Sequence, residues 1–482
     1  MVIAFAFSLS NCNKDQFTKT GVLAFSNDTL TFDTVFTSMG STTRYFKIKN
    51  QDSKSVNIAS IKLAGLSGNQ YRMNVDGVAG REFKNVPISG KDSLYVFVEV
   101  TVDPNNSNNP FVLTDEVQFL TNGVMQKVVL QAMGQNAYYH IGERYSSTHL
   151  PPNPWPNDKP HIILRGDSFP GLEVKSGITL NIQQGTKIFM GANALISVDG
   201  TLNVNGSGTD SVVFRGIRLE SFYNDKPGQW FGIIYGRTAT IIMTKTIINE
   251  SYFGLSDEHV LNVLVGQRIT TSNIATYTNS LLPVVTLNKT IIKNSSSTAL
   301  TLLGTTAHVT NSLFHTAGSN MVLVGVGGSY NFVNCTLGNG YGRYVDHKNA
   351  SLVVTNQIIN LDNSPVVLDF SNNPTFINTL IYGTQENEIV SVNTTGVKPV
   401  NFQNCLIKMN IDSFLLKVAD TTGKFCLFNK EPKFISGYGG NYQPDTISPV
   451  INMGTSIGTP LDDLFERSRM GGVDIGAIQA KR

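Results

Sequence analysis

The sequence predicts an all-β protein in which an immunoglobulin-like β-sandwich precedes a parallel β-coil. Charged residues make up only 15% of the 482 positions, and Asn, Ser, Thr and Gly take their place, which is typical of turn-rich β-structure. Short alternations of apolar and polar residues fill the first part of the chain. A pattern that recurs about every 22 residues fills the second part.

The composition excludes several classes of protein. The 37 Lys and Arg residues against 35 Asp and Glu give a net charge of +2, which lacks the basic character of a nucleic-acid-binding protein. No apolar run reaches the roughly 18–20 residues of a membrane-spanning helix. The spacing of the four cysteines matches no zinc site. We therefore expect no nucleic-acid partner, no metal and no cofactor.

The first twelve residues form an apolar stretch that ends at Cys12. The stretch resembles the end of a bacterial lipoprotein signal peptide, with Leu9, Ser10 and Asn11 before a lipid-modified Cys12. The following Asn-Lys-Asp resembles the tag that sends lipoproteins of Bacteroidetes type to the outer leaflet. The resemblance implies that residues 1–20 are a signal remnant and tether, and that acyl chains on Cys12 anchor the protein to the outer membrane, facing the cell exterior. An apolar first strand with an incidental cysteine is the alternative.

Residues 21–137 are predicted to form the sandwich. In Arg44–Lys49, Phe46 and Ile48 lie on one face, and Leu94, Val96 and Val98 alternate in the same way with Tyr95, Phe97 and Glu99. Turn residues separate these short strands, as in immunoglobulin-like sandwiches. The runs 30–36 and 47–50 resemble the choice-of-anchor D and Hydin-like immunoglobulin modules. That resemblance implies a non-catalytic spacer or docking unit.

A proline-rich segment follows the predicted sandwich. Five prolines between His149 and Pro160 predict that residues 138–160 form a stiff linker without ladder hydrogen bonds. Trp155 within it either stacks on a ligand or covers the open end of the next domain.

The second half of the chain carries an internal repeat. A short β-prone motif recurs in seven copies, which start at Thr246, Thr290, Ser312, Cys335, Gln357, Thr379 and Cys405. The first two copies start 44 residues apart, and the later ones start 22 to 26 residues apart. Such a period predicts one turn of a coil per copy, with parallel strand pairing and apolar side chains inside. The first gap indicates a degenerate or looped-out copy between about residues 255 and 282. We expect Ile291, Leu313, Ile358 and Leu380 to line up inside the coil, one turn above another.

Flanking segments carry a resemblance to a known fold. Segments 177–189, 194–206 and 227–234 resemble the opening turns of right-handed parallel β-helix proteins, with Trp230 at the framework tryptophan. Segments 448–454 and 472–478 resemble the choice-of-anchor Q terminus of bacterial surface β-helices. The resemblance implies a right-handed parallel β-helix over 161–420 and a C-terminal cap over 421–482.

Two residue types recur at equivalent positions of the predicted coil. Cys335 and Cys405 occupy the same position three turns apart, which is too far for a disulfide, so we expect small buried fillers. Asn334, Asn356, Asn378 and Asn404 precede the equivalent position on successive turns. They form either a structural ladder at one corner or a carbohydrate-binding row.

Acids about one turn apart are candidates for a chemical site, because glycosidases need two carboxylates at a defined separation. Asp346 and Asp369 satisfy this spacing, and Arg343 and His347 lie beside Asp346. These four residues are the candidate ligand or catalytic cluster, with a few mixed surface charges as the alternative. We expect the group 257–259 to be solvated.

Two functions remain open at this point. The first is an outer-membrane, surface-exposed lipoprotein that acts as a non-catalytic scaffold or binding subunit, with a protein complex or a glycan as its partner. The second is a polysaccharide lyase or glycoside hydrolase that acts on an acidic polysaccharide through Arg343, Asp346, His347 and Asp369. The scarcity of clustered acids favours the first.

Overall fold

The computed structural model describes residues 17–20, 22–260, 282–359, 365–392, 400–410 and 423–481. It confirms the predicted fold class, an all-β chain with a β-sandwich followed by a parallel β-helix. The chain divides into two compact units, Met1–Ala137 and Tyr138–Arg482. Within the described ranges, no helix has the length and apolar character needed to cross a membrane. Cys12 lies outside the described residues.

The first unit consists of two five-stranded sheets with a shared apolar core. In spatial order, one sheet contains β1 (Ala24–Phe25), β3 (Arg44–Lys49), β8 (Ser93–Val100), β5 (Tyr71–Val75) and β6 (Val78–Gly80). The other contains β2 (Thr29–Phe36), β10 (Val124–Gln135), β9 (Phe111–Thr121), β4 (Val56–Leu63) and β7 (Glu82–Ile88). The predicted alternation holds, because Phe46, Ile48, Val96 and Val98 are all fully buried.

The second unit is a solenoid of three parallel sheets. Sheet 1 contains β11 (Tyr138–Ile141), β13 (His161–Leu164), β16 (Lys187–Met190), β19 (Val212–Gly216), β22 (Thr246–Asn249), β25 (Ile291–Ser295), β28 (Leu313–Ala317), β31 (Thr336–Gly338), β36 (Leu380–Tyr382), β39 (Leu406–Ile407) and β41 (Leu427–Phe428). Sheet 2 contains β12 (Glu143–Tyr145), β14 (Gly171–Val174), β17 (Leu195–Val198), β20 (Gly232–Tyr235), β23 (Leu255–Asp257), β26 (Leu300–Leu303), β29 (Val322–Gly325), β32 (Leu352–Thr355) and β37 (Ile389–Val392).

Sheet 3 completes each turn. It contains β15 (Thr179–Ile182), β18 (Thr201–Asn205), β21 (Thr240–Thr244), β24 (Val284–Asn288), β27 (Thr306–Thr310), β30 (Ser329–Val333), β35 (Thr375–Ile377), β38 (Asn401–Gln403) and β40 (Gly423–Lys424). Two hairpins lie outside the three sheets, β33 (Gln357–Ile359) with β34 (Pro365–Val367) and β42 (Phe434–Ser436) with β43 (Asn441–Pro444). Two short 3-10 helices cover Ser221–Tyr223 and Gly437–Gly439.

The segment expected as a linker forms the first turn of the solenoid instead. Tyr138 pairs with His161 at the start of β11 and β13, and β12 pairs with β14. Trp155 is fully buried and stacks on His140 and His161, with ring centroids 4.3 and 4.2 Å apart. The prolines therefore stiffen an irregular part of the first turn, and Trp155 closes its core.

Two buried histidines of this turn form a hydrogen-bonded chain. His140 Nδ1 contacts Glu143 Oε2 at 2.7 Å, and His140 Nε2 lies 3.0 Å from His161 Nδ1. His161 Nε2 donates to the carbonyl oxygen of Pro156 at 2.9 Å. Both ring nitrogens of His161 make hydrogen bonds when this imidazole is neutral, because Nε2 then donates and Nδ1 accepts. Burial lowers the pKa of His161 to about 4.

We expect acid to destabilise the second unit through His161. The unfolded imidazole takes up a proton below about pH 6.5, whereas the folded one stays neutral to about pH 4. The free energy of unfolding should therefore fall by about 3 kcal/mol as the pH drops through this window. Denaturant titrations at several pH values, followed by the fluorescence of the two tryptophans, should show a smaller fall in His161→Gln. The exposed His308→Gln should keep the wild-type slope.

The pairing of the strands decides the first gap of the predicted repeat and corrects the repeat at one later copy. β22 pairs directly with β25, so the gap of 44 residues is one long turn, which is the looped-out alternative and not a degenerate extra turn. β31 pairs directly with β36, and the copy at Gln357 lies in the β33–β34 hairpin beside the solenoid. Ile358 packs with Leu303 and Val326 in a small separate cluster.

The predicted inner column is wrong in two respects: Ile358 is not part of it, and Ile291, Leu313 and Leu380 share a column on the outer face of sheet 1 and not inside the coil. Ile291 pairs with Leu313, Leu313 with Thr336 and Thr336 with Leu380. The inner column is formed by the next residue of each strand: Ile292, Phe314, Leu337 and Ile381, which are fully buried. Leu313 and Leu380 are buried because the C-terminal segment covers them.

A corner of the solenoid is built from asparagines with left-handed backbone. Asn311, Asn334, Asn378 and Asn404 have φ of 47°, 52°, 50° and 50°, a conformation that Asn tolerates better than most residues. The predicted Asn356 is not part of this corner, since it lies before the β33–β34 hairpin and donates to Asp369. The corner amides of Asn311, Asn378 and Asn404 donate to carbonyl oxygens of residues 453–462 at 2.8–3.0 Å. The structural ladder is therefore the correct alternative.

The final segment, expected to cap the end of the solenoid, lies along its side. Residues 441–478 cover the outer face of sheet 1, where Tyr442 and Ile478 pack on Leu313, and Val450 and Ile475 pack on Leu380. This explains how apolar residues occupy outward positions of sheet 1 without facing water.

Candidate functional site

The structure places the four residues of the predicted cluster in different surroundings. His347 is buried, whereas Arg343, Asp346 and Asp369 are exposed. Asp369 follows the β33–β34 hairpin and accepts a hydrogen bond from Asn356 at 3.0 Å. The predicted one-turn relation between Asp346 and Asp369 fails, because the hairpin and the loop before β32 belong to the same long turn.

His347 has a different partner, Glu388, which was missed in the sequence. Its Nε2 donates to Glu388 Oε2 at 2.9 Å, and Asn339 Nδ2 donates to its Nδ1 at 2.5 Å. The fully buried Glu388 carboxylate also accepts from Ser351 Oγ at 2.7 Å and from the backbone N–H of Gln385 at 2.8 Å. Both carboxylate oxygens of Glu388 accept hydrogen bonds, so the His347–Glu388 pair fixes the loop 339–350 to the solenoid.

Asp257 and His259 are buried and Glu258 is half-buried, contrary to the expectation that the group 257–259 is solvated. Asp257 is fully buried and forms an ion pair with Arg237. Arg237 also donates to the carbonyl oxygens of Leu303 and Gly304 at 3.0 and 3.2 Å. Burial lowers the pKa of His259 to about 4, with the charge of Arg237 as a second cause.

Two acids at the end of sheet 2 form a carboxylate pair. Val198, Tyr235 and Asp257 pair in successive strands, so the next residues, Asp199, Gly236 and Glu258, occupy equivalent positions on three turns. A Cβ atom on Gly236 would clash with Asp199 Oδ1 and would lie 3.2 Å from Glu258 Oε2. The missing side chain of Gly236 therefore leaves a space that the two carboxylates approach from the turns on either side.

The environment of this pair favours protonation. Burial raises the pKa of Asp199, and the charge of Glu173 raises it further. Burial also raises the pKa of Glu258; Arg237 opposes this shift and Asp199 adds to it. Glycosidases use two carboxyl groups in different environments, and the pKa of the one that acts as general acid is raised. This pair could have been found in the sequence by comparing the residues that follow the end of each predicted strand, and not by a fixed spacing along the chain.

Most positions on the outer face of sheet 3 hold uncharged polar residues, and four hold Val or Ile. We call this outer face the amide–hydroxyl face, and its paired positions form three rows: Thr179, Thr201, Thr240, Val284, Thr306 and Ser329; Asn181, Asn203, Ile242, Thr286, His308, Asn331, Thr375 and Asn401; and Asn205, Thr244, Asn288, Thr310, Val333, Ile377, Gln403 and Lys424. Among these positions, Lys424 at one end is the single Lys, Arg, Asp or Glu.

Two pairs of side chains on neighbouring strands of this face are hydrogen-bonded to each other. Asn203 Nδ2 donates to Asn181 Oδ1 at 2.8 Å, and Thr310 Oγ1 donates to Asn288 Oδ1 at 3.0 Å. Strand pairing sets neighbouring strands about 4.7–4.9 Å apart. Amide and hydroxyl groups both donate and accept, so the face offers a regular grid of both functions.

The first unit carries a separate aromatic patch, defined here as Tyr45, Tyr95 and Phe97. Tyr45 lies opposite Phe97 in the pairing of β3 with β8. The ring centroids are 5.5–5.9 Å apart, and the three residues are 36–53% exposed. Lys47 Nζ lies 4.6 Å from the centroid of the Tyr95 ring. Exposed aromatic residues in contact are typical of binding surfaces. The outward positions of Tyr95 and Phe97 were visible in the sequence alternation.

Comparison with known proteins yields distant structural neighbours. No family model and no curated protein matches the chain. The catalytic domain of a family 87 α-1,3-glucanase aligns over 77% of this chain and 68% of its own, with 12% identity and a TM-score of 0.24. A family 123 glycoside hydrolase from Clostridium perfringens aligns over 25% and 30%, with 7% identity and a TM-score of 0.18. A protein of unknown function from Porphyromonas gingivalis W83 aligns over 26% and 60%, with 10% identity and a TM-score of 0.18.

This chain thus spans less than two thirds of the last two neighbours. Because every identity is 12% or lower and every TM-score is below 0.5, no activity of these proteins is transferred to this chain. Among the described residues, no group of three His, Cys, Asp or Glu side chains is arranged to hold a metal ion.

Proposed function

We propose that the protein is a surface lipoprotein of the outer membrane that binds an uncharged polysaccharide through the amide–hydroxyl face. The observation that carries this proposal is the array of Thr and Asn side chains across nine paired strands of sheet 3. Sugar hydroxyls donate and accept hydrogen bonds, so they match a grid of amides and hydroxyls. A face without charges also avoids the cost of desolvating ions on binding.

Attachment to the membrane is the second part of this proposal. It rests on Cys12 and the apolar residues before it, which resemble a lipoprotein signal. Labelling with palmitate and fractionation of membranes should find wild-type protein acylated and membrane-bound, and Cys12→Ala unlabelled and released. A Cys12→Ala protein that stays in the membrane fraction would remove the anchor from the proposal.

Binding is tested with immobilised polysaccharides and variants of the amide–hydroxyl face. Thr240→Glu combined with Thr306→Glu places two charges in one row and should weaken binding to a neutral glucan at least tenfold. Thr31→Glu, at an exposed position of β2 in the first unit, is the matched control and should bind as wild type. Wild-type affinity should change little between low and high salt, because the face contributes few charges.

Three outcomes would contradict this proposal. The first is full binding by the double variant. The second is binding limited to acidic polysaccharides. The third is loss of binding in Tyr45→Ser combined with Phe97→Ser while the face variant still binds, which would make the aromatic patch of the first unit the binding surface.

The carboxylate pair supports a second candidate function, hydrolysis of a glycosidic bond. Retaining glycosidases hold their two carboxyl groups about 5–5.5 Å apart, and Asp199 and Glu258 approach the same space beside Gly236 from the turns on either side. The same polysaccharide panel should be assayed for release of reducing ends. Release of reducing ends by wild type that is lost in both Asp199→Asn and Glu258→Gln would establish this function. If wild type releases no reducing ends from any substrate, hydrolysis is contradicted and glycan binding remains as the proposed function.

A further inference from the structure

Two cysteines lie in register on neighbouring turns of sheet 1. β39 and β41 pair with Leu406 opposite Leu427 and Ile407 opposite Phe428. The residues just before, Cys405 and Cys426, therefore face each other across the same pair of strands. The backbone N–H of Cys405 donates to Cys426 Sγ at 3.4 Å, and the two thiols hydrogen-bond each other.

This spacing suits a disulfide. Neighbouring strands lie about 4.7–4.9 Å apart, and disulfide-bonded cysteines have Cα atoms roughly 4.4–6.8 Å apart. The separation expected for Cα atoms of paired strands therefore lies within the range for a disulfide. Cys335 lies on the same row as Cys405 but two turns away, through β36, and not the predicted three, because the copy at Gln357 is a hairpin and not a turn. That distance, about 10 Å, excludes a bond between Cys335 and Cys405.

The two thiols differ in access and acidity. Cys405 is buried and Cys426 is half-buried. The hydrogen bond with Cys405 lowers the pKa of Cys426, whereas burial raises the pKa of Cys405. Because the thiolate is the nucleophile, Cys426 is the thiol that reacts first with a reagent from solution.

We propose that Cys405 and Cys426 form a disulfide that joins the last two paired turns of sheet 1 when the protein meets a disulfide oxidant such as oxidised glutathione. The Cys426 thiolate attacks the oxidant, forms a mixed disulfide and releases one thiol. Cys405 then attacks Cys426 Sγ, the mixed disulfide breaks, and a second thiol leaves. The two cysteine protons end on the two released thiols. This inference is independent of glycan binding.

The experiment uses the full chain, purified in reductant and then incubated with oxidised glutathione. The protein is denatured in iodoacetamide, digested with trypsin without reduction and analysed by mass spectrometry. Cleavage after Lys408 and after Lys424 places the two cysteines in different peptides. We expect a pair of peptides joined through Cys405 and Cys426, two hydrogens lighter than their sum, while Cys335 is recovered alkylated.

Variants and stability provide the controls. Cys335→Ser should keep the cross-link, and Cys426→Ser should lose it. Oxidation should raise the Tm of wild type and of Cys335→Ser by several degrees, because the bond restricts the unfolded chain, and should leave Cys426→Ser unchanged. The proposal is overturned if Cys405 and Cys426 are both recovered alkylated, if Cys426 carries glutathione without a bond to Cys405, or if the cross-link joins other cysteines. The peptide map of wild type decides the question even if a variant fails to fold.

Discussion

Replacement of Phe376 with Ala is expected to lower the free energy of unfolding of the second unit by about 3–5 kcal/mol. Phe376 lies between Phe332 and Phe402 in the inner face of sheet 3, with ring centroids 4.9 and 5.3 Å away and interplanar angles of 16° and 22°. All three rings are buried. Removal of the middle ring leaves a cavity with aromatic walls on successive turns, and the paired backbones of β30, β35 and β38 hold those walls in place.

Fluorescence can follow this loss in the second unit alone. The chain has two tryptophans, Trp155 and Trp230, and both are buried in the solenoid. A denaturant titration of their emission should show a much lower midpoint for Phe376→Ala. Asn331→Ala changes an outward residue of β30, opposite Thr375, and should shift the free energy by no more than about 0.5 kcal/mol. Equal shifts in the free energy of unfolding for Phe376→Ala and Asn331→Ala would show that the stacked rings contribute little to the stability of the second unit.

Local pattern was sufficient to predict the fold class. Alternation at Phe46, Ile48, Val96 and Val98 identified the sandwich, because a strand with one buried face has a period of two. The recurrence of the β-prone motif identified the solenoid for the same physical reason: each turn has to place similar side chains at similar positions to fill a continuous core.

Length alone left two turns ambiguous, and the second of them was assigned wrongly. The turns that run from Thr246 to Thr290 and from Thr336 to Leu380 are each 44 residues long, and each equals two periods of 22 by length alone. The copy at Gln357 satisfies the spacing and has the right residue types, yet it forms a hairpin beside the coil. Spacing cannot distinguish an inserted hairpin from an extra turn, because both supply short apolar strands.

The candidate site was missed for a related reason. Asp346 and Asp369 were chosen because they are about one period apart, but the β33–β34 hairpin breaks the register between them. Asp199 and Glu258 are 59 positions apart and still lie two turns apart, since the segment between β19 and β20 lengthens one turn. The partner of His347, Glu388, is likewise identified by strand pairing and not by distance along the chain.

The C-terminal segment gives the second large expected effect, at Arg469. This side chain is 4% exposed, and its guanidinium donates to Asn311 Oδ1 and Gln479 Oε1 at 3.0 and 2.8 Å. It also donates to four backbone carbonyl oxygens, those of Asp462, Asp474, Gly476 and Ala477, at 3.1–3.3 Å. A methionine at this position would leave these acceptors buried without donors, at about 1–3 kcal/mol for each that water cannot reach.

Arg469→Met should therefore release the segment 441–478 from sheet 1 before the solenoid unfolds. Limited proteolysis should cut this segment in the variant at a protease concentration that leaves wild type intact, and the tryptophan midpoint should fall by an amount equivalent to at least about 3 kcal/mol. Arg343→Met, which changes an exposed arginine, should be cut as slowly as wild type. Arg469→Lys should behave like Arg469→Met, because an ammonium group cannot present the planar fork that reaches Asn311, Gln479 and the carbonyl oxygens together. A resistant Arg469→Met protein would mean that the apolar contacts of Tyr442, Val450 and Ile475 are sufficient to hold the segment.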